Sequence, residues 1–461
     1  DHCSGVLFEN CTFKRCGSLN NSAYGALILN GCKDVVVNGC TFEKCYKAIT
    51  DRGSANKFNE NVSITNCIFN ECSWGVYGSV PFIGRTKVNN NVFKISYDNY
   101  KLGHLGLSGD AIRFAIVNKI EVMDNDISFG KEIPAITWDA TKFWGNGIGR
   151  EASPITNSYT GNSVAGAKNG INIIRYQGNR AGGMMSSSST TGSIMEKGAG
   201  KGVKIEGNTI FCYEDAINAR TEYHWVLGGE QQHGPFLISN NNCNFSGEGI
   251  QVGWHSNIGA PSGYCRNINI TNNNLYHISI AKYYYGNTTG GSIEWAATST
   301  SGDSMGRLPH AGGIVFYTPI TAATSEGVAN YIKVYTVSGN KITTDDQTGS
   351  TTGFTNDARN RMASGIQMGT ARAQAHSIIQ GQMSHNQLQN WDGSFGWKSR
   401  NSDDTYTTST MTHTMYNNSL YGNLFGHFWD QFKAHDENWS VDEWGVTTHG
   451  ANTSGDTTIN P

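Results

Sequence analysis

The chain has 461 residues, 56 of them Gly and 8 Pro, with 15% charged residues and a net charge of −3. That balance supplies no basic field for nucleic acid or an anionic lipid surface, and no run of residues is apolar enough for a membrane-spanning helix. A single core does not usually grow to this length, so the pattern is sought in repetition.

The first signal in chain order is Cys-x-Phe-x-x-Cys. It occurs as Cys11-Thr-Phe-Lys-Arg-Cys16, Cys40-Thr-Phe-Glu-Lys-Cys45 and Cys67-Ile-Phe-Asn-Glu-Cys72, at steps of 29 and 27 residues. A unit this short cannot bury an apolar face alone and must stack on its neighbours. The aromatic position recurs more loosely as Phe13, Phe42, Phe69, Phe93, Ile127, Val164, Ile210, Phe245, Leu275, Ile342 and Leu388, ending with Leu420 or Leu424. Alternating stretches such as Val62-Ser-Ile-Thr and Lys119-Ile-Glu-Val precede most of these positions, and period two marks strands with one buried face. The Asn before them suits a bend that uses left-handed geometry or a side-chain-to-backbone bond.

A second strand signal alternates with the first: a small residue, then an aliphatic one. Examples are Ala48-Ile49, Gly75-Val76, Ala111-Ile112, Ala135-Ile136, Gly170-Ile171, Ala216-Ile217, Gly249-Ile250, Gly313-Ile314 and Gly365-Ile366. Parallel strands one period apart, with no helical pattern between them, predict an all-β solenoid, a parallel β-helix of about a dozen coils with long loop insertions. It is expected over 1–400, with 401–461 as a C-terminal cap or subunit-contact segment. The opening Asp1-His-Cys reads as the interior of a longer polypeptide. The 11 Cys are odd in number and fall in vertical columns, which predicts buried free thiols rather than a disulfide framework. No His stands at ligand spacing beside the Cys pairs, so neither zinc nor any cofactor is expected. Two acidic doublets, Asp345-Asp346 and Asp403-Asp404, are the places where calcium could bind.

The residue before each small–aliphatic pair gives one column: Lys47, Trp74, Asp110, Pro134, Asn169, Asp215, Glu248, Gly312 and Ser364. Asp215 and Glu248 are thereby expected on successive coils, roughly 5 Å apart, a spacing suited to paired-carboxylate chemistry. Glu214 competes with Asp215 for the catalytic role. The same strands lead into loops with His224, Trp225, Trp254 and His255, and flat aromatic faces suit sugar rings. Gln251 lies on the Glu248 strand, and Arg220 on the Asp215 strand can hold a substrate carboxylate. Asp110 with Arg113 forms a second cluster, expected several coils away and read first as an ion pair.

With these repeats, the chain resembles the right-handed parallel β-helix (pectate-lyase-like) family over roughly 1–400, and within it most resembles bacteriophage tailspikes. The resemblance implies a homotrimer on a virion or otherwise extracellular, binding and endo-cleaving a bacterial surface polysaccharide (capsule or O-antigen) by glycosidic hydrolysis. The alternatives are a polysaccharide lyase on the same fold or a non-catalytic glycan-binding spike.

Overall fold

In the computed structural model the chain winds as a right-handed parallel β-helix. The structure describes residues 2–17, 25–51, 58–95, 110–117, 119–129, 170–173, 202–212, 215–221, 231–233, 235–245, 248–254, 263–265, 267–277, 312–317, 331–332, 335–344, 364–368, 380–391, 393–398, 412–421, 425–430 and 438–441. Each coil carries three short strands that pair in parallel with their counterparts above and below. The first stack opens with Ser4–Glu9, Lys33–Asn38 and Asn59–Thr65; the second with Thr12–Lys14, Thr41–Glu43 and Ile68–Cys72; the third with Leu27–Leu29, Lys47–Asp51 and Trp74–Ile83. The second stack has 11 strands. The first and third form one 23-stranded sheet, because Asn59 and Glu60 also pair with Phe82 and Ile83 at the far end of the long strand Trp74–Ile83. Parallel pairing continues beyond residue 400, through Thr412–Tyr416, Ser419–Tyr421, Phe425–Asp430 and Asn438–Val441.

The corner between the first and second stacks has two residues in every coil, from Asn10-Cys11 and Gly39-Cys40 to His385-Asn386 and Asn417-Asn418. The first residue is always left-handed, with φ between 53° (Asn10) and 71° (Gly207). That explains the Gly, Asn, Asp and single His found there, since most other side chains meet the backbone in this region. The second residue turns into the coil. From the fourth coil on it is Asn, and Asn91, Asn125, Asn208, Asn241, Asn273, Asn340, Asn386 and Asn418 form one buried ladder. Asn273 is typical. Its Oδ1 accepts from the backbone N–H (3.0 Å) and Nδ2 (2.9 Å) of Asn241, and its own Nδ2 donates to the Ile238 carbonyl at 3.0 Å. Its backbone N–H in turn reaches Asn340 Oδ1 at 2.9 Å.

Cys11, Cys40 and Cys67 hold the same position in the first three coils. Cys67 closes the ladder by donating its N–H to Asn91 Oδ1 at 2.9 Å, while its Sγ–H meets the carbonyls of Val37 and Thr65 at 3.6 and 3.2 Å. Ten described cysteines are free thiols, as the vertical arrangement led one to expect. Burial pushes the Cys67 thiol up to about 11, so it stays protonated and packs as a small hydrophobe.

Phe13, Phe42, Phe69 and Phe93 line up inside the coil. Their rings stack at 5.0, 5.0 and 4.3 Å with planes within 8°. Ile127, Ile210, Leu275, Ile342, Leu388 and Leu420 extend the column. Two positions differ from expectation. Cys243, not Phe245, pairs with Ile210 and Leu275; Phe245 sits two residues on, in the next inward column with His277 and Thr344. Ile127 pairs directly with Ile210, and Ile112 with Ile171. That direct pairing leaves no rung for Val164 or for Ala135-Ile136, which lie outside the described residues with Leu424.

The small–aliphatic pairs mark the corner into the third stack. A Cβ built on Gly75 would lie 2.3 Å from the Ala111 carbonyl oxygen and 2.7 Å from the Phe93 ring. The small residue lets the chain turn tightly there, and the aliphatic one that follows (Ile49, Val76, Ile112, Ile171, Ile217) is buried in the core.

Candidate functional site on the third stack

The constant two-residue corner faces away from the third stack. Insertions fall only at the two corners that bound that stack. Long connections enter it at 130–170, 278–311 and 345–363, and leave it at 174–201, 222–235, 255–267, 318–334 and 369–379. Three of the departing segments pair with one another, as Gln231–His233, Gly263–Cys265 and Tyr331–Ile332 form a small parallel sheet of their own. The third stack is thus the one whose strands are preceded or followed in the chain by the long connections. Among its outward residues, Asn218, Gln251, Val315 and Gln367 are polar in three cases of four and all four are buried, while Tyr77 and Arg113 in the same column are partly exposed. Outward residues of the first stack behave otherwise, with Leu7, Val36 and Leu237 exposed.

Asp215 and Glu248 stand at the start of third-stack strands on successive coils. Ile217 pairs with Ile250, so the carboxylates two residues earlier are vertical neighbours. The Ala216 N–H reaches the Glu248 carbonyl at 3.0 Å, and Asp215 Oδ1 accepts the Glu248 backbone N–H at 3.0 Å. Asp215 therefore orders the start of the strand that carries Glu248. Glu248 is fully buried and Asp215 half-buried. Above Glu248 the column continues with Gly312 and Ser364, as expected. Below Asp215, the Gly170 N–H reaches the Asp215 carbonyl at 3.1 Å, and Asp110 follows two rungs down, because Ile112, Ile171 and Ile217 are directly paired; Pro134 and Asn169 lie outside the described residues.

The remaining expected site residues divide by what the structure describes. Gln251 is buried between Asn218 and Val315 on adjacent rungs. Arg220 and Trp254 belong to the paired strands, opposite Gly253 and Thr221. Glu214, His224, Trp225 and His255 lie outside the described residues, as do Asp345-Asp346 and Asp403-Asp404.

Asp110 and Arg113 stand two rungs from Asp215, not several coils away, because Ile112 pairs with Ile171 and Ile171 with Ile217. Their ion pair is real, with Nη1–Oδ2 at 3.5 Å and Asp110 fully buried. It belongs to a larger cluster. Tyr77 pairs with Thr50 and Arg113 in one outward column. Lys47 Nζ lies 3.9 Å from the Tyr77 ring centroid and 5.9 Å from that of Tyr46. The Arg113 guanidinium lies 5.6 Å from Tyr77 and 5.8 Å from Trp74, and Trp74 meets Tyr77 edge-to-face at 5.0 Å. Burial pulls the Lys47 ammonium down to about 8; Asp51 opposes that pull and Arg113 adds to it. Burial raises the Tyr77 phenol, with Arg113 working against the rise.

Lys47, Trp74 and Tyr77 were not among the expected site residues. Lys47 and Trp74 stood in the carboxylate column, but the signal that joins them to Arg113 is Tyr77, which belongs to the neighbouring outward column. No family model matches the chain, and neither the curated proteins nor the solved structures contain a match to it.

Proposed function

We propose that the chain is a tailspike-like depolymerase that binds and endo-cleaves a bacterial surface polysaccharide by glycosidic hydrolysis. The observation that carries the proposal is the Asp215–Glu248 pair: two carboxylates on adjacent rungs, coupled through the Glu248 N–H, at the start of third-stack strands from which long connections depart in the chain. In this reading Glu248 donates a proton to the leaving glycosidic oxygen, and Asp215, its Oδ1 held by that N–H, acts from the next rung as base or nucleophile. Buried amides at Asn218, Gln251 and Gln367 suit hydroxyl recognition along the same stack. The likeness to tailspikes extends the proposal to a homotrimer carried on a virion.

The test is product analysis by mass after incubation with a panel of capsular and O-antigen polysaccharides. Hydrolysis adds one water per cut. Asp215→Asn and Glu248→Gln are each expected to lose cleavage at least 100-fold while binding persists; normal depolymerisation by both variants rejects the assignment.

One observation favours a second reading, β-elimination. Lys47, held near a pKa of about 8 beside Tyr77 and Arg113, has the make-up of a proton-abstracting site. Elimination leaves an unsaturated, ultraviolet-absorbing product without added water.

A further inference from the structure

We propose that Lys47, Trp74, Tyr77 and Arg113 form a subsite for a carboxylate-bearing sugar, so that the polymer this face accepts is acidic. The inference rests on the polysaccharide reading above and names the class of polymer.

The geometry is as follows. Tyr77 lies between two cations, Lys47 at 3.9 Å and Arg113 at 5.6 Å from its ring centroid. Trp74 stands edge-to-face against the same ring, partly exposed and next to Lys47 in the strand pairing. An aromatic plate beside two cations matches a sugar ring that carries a carboxylate: the ring lies on the plate and the carboxylate reaches the cations. Two acids are also present. Asp110 faces Arg113 with Oδ2 at 3.5 Å from Nη1, and the guanidinium carries five donors. Asp51 acts on Lys47 through its charge, and it pairs with Leu29 in the inward-facing register of the strand. Arg113 is 26% exposed and can be reached from outside.

The position along the rod supports the assignment. Arg113, Asn172 and Asn218 are consecutive in one column, so the cluster is two rungs, about 10 Å, from the Asp215 coil. A chain lying along the axis would span that distance with about two sugar units, placing one residue at the cluster and the cut bond at Asp215 and Glu248. Desolvation already costs Lys47 part of its charge, and a bound carboxylate restores it. Binding is therefore expected to weaken as pH rises through about 8, where Lys47 loses its proton.

The experiment measures affinity calorimetrically for polygalacturonate, hyaluronate, alginate and polysialate, each beside its carboxyl-reduced form, at pH 6.5 and 9.5. At least one acidic polymer is expected to bind at pH 6.5, at least tenfold more tightly than its reduced form and than at pH 9.5. Lys47→Gln and Arg113→Gln should each erase the preference, Lys47→Arg should retain it at both pH values, and Trp74→Ala should weaken both forms alike. Thermal melts of the variants establish that they fold, and Lys47→Arg keeps the test decisive if Lys47→Gln does not. Equal affinity for acidic and reduced forms, binding to reduced forms only, or no binding to any of the four overturns the proposal. Loss of cleavage by Lys47→Gln at unchanged affinity also overturns it, in favour of elimination at Lys47. The hydrolase reading fails separately, through active Asp215→Asn and Glu248→Gln variants.

Discussion

The first three coils and the eight that follow solve the same problem in different ways. Both make the corner between the first and second stacks in two residues, the first left-handed and the second turned inward. In the later coils the inward residue is Asn. Its side chain joins neighbouring corners through two accepted and two donated bonds, as at Asn273. In the early coils it is Cys, whose thiol makes only weak contacts to carbonyls, at 3.4 Å for Cys11, 3.5 Å for Cys40, and 3.2 and 3.6 Å for Cys67. The early coils instead have Phe on Phe two residues later, a stack that ends on Phe93 in the first Asn coil, beyond which the column is mostly Ile and Leu. The difference teaches that the corner geometry is common, while the force that holds it is exchangeable: a hydrogen-bonded ladder in one region, ring stacking and thiol packing in the other.

That comparison can be broken at its strongest points first. Removing Phe42→Ala from the middle of the stack should cost about 3–5 kcal/mol in denaturant unfolding, because its ring is fully buried between Phe13 and Phe69. Asn273→Ala strands the Asn241 N–H and Nδ2 and the Ile238 carbonyl, so about 3 kcal/mol or more is expected at the scale of 1–3 kcal/mol for each buried group left unmet. If Asn273→Ala costs no more than a core methyl deletion, the ladder is incidental. Gly75→Ala tests the tight corner: its Cβ would meet the Ala111 carbonyl, which is backbone and cannot turn aside, and a loss of about 1–3 kcal/mol is expected. Cys40→Ala, by contrast, should cost only about 1 kcal/mol, the transfer and cavity terms of a small buried group. The smallest effect sharpens the comparison most. Cys67→Asn places an amide where the Val37 carbonyl and the Cys40 N–H can meet it, and a change within about 1 kcal/mol of wild type is expected in the same assay. A loss of about 3 kcal/mol would show the two kinds of corner to be incompatible.

Much of this architecture was legible in the residues. The Phe column, the small–aliphatic corner and the adjacency of Asp215 and Glu248 all follow from a periodic pattern whose elements differ chemically from their surroundings. The failures share a physical origin. At Asn241-Asn-Cys-Asn-Phe245 two apolar residues lie two apart on the same strand face, so period two cannot say which one pairs with Ile210. Ala135-Ile136 carries the same two-letter signature as a rung, whereas Ile112 pairs directly with Ile171. The Asn ladder hid for a different reason: Asn-Asn pairs hold two residues with different tasks, one for its backbone and one for its side chain, and composition does not separate them. Lys47, Tyr77 and Arg113 come from three coils, and their meeting depends on side-chain direction as well as rung order.

The invariance of the two-residue corner has an outcome for how such a rod can change. Lengthening that edge would interrupt a bonded line running nearly the whole axis, so sequence gained or lost is channelled to the opposite side. There each added loop alters the surface presented to a ligand while the winding beneath stays as it was. A chain built this way can acquire a new recognition surface one coil at a time, and the spine of stacked amides is what keeps those trials independent of each other.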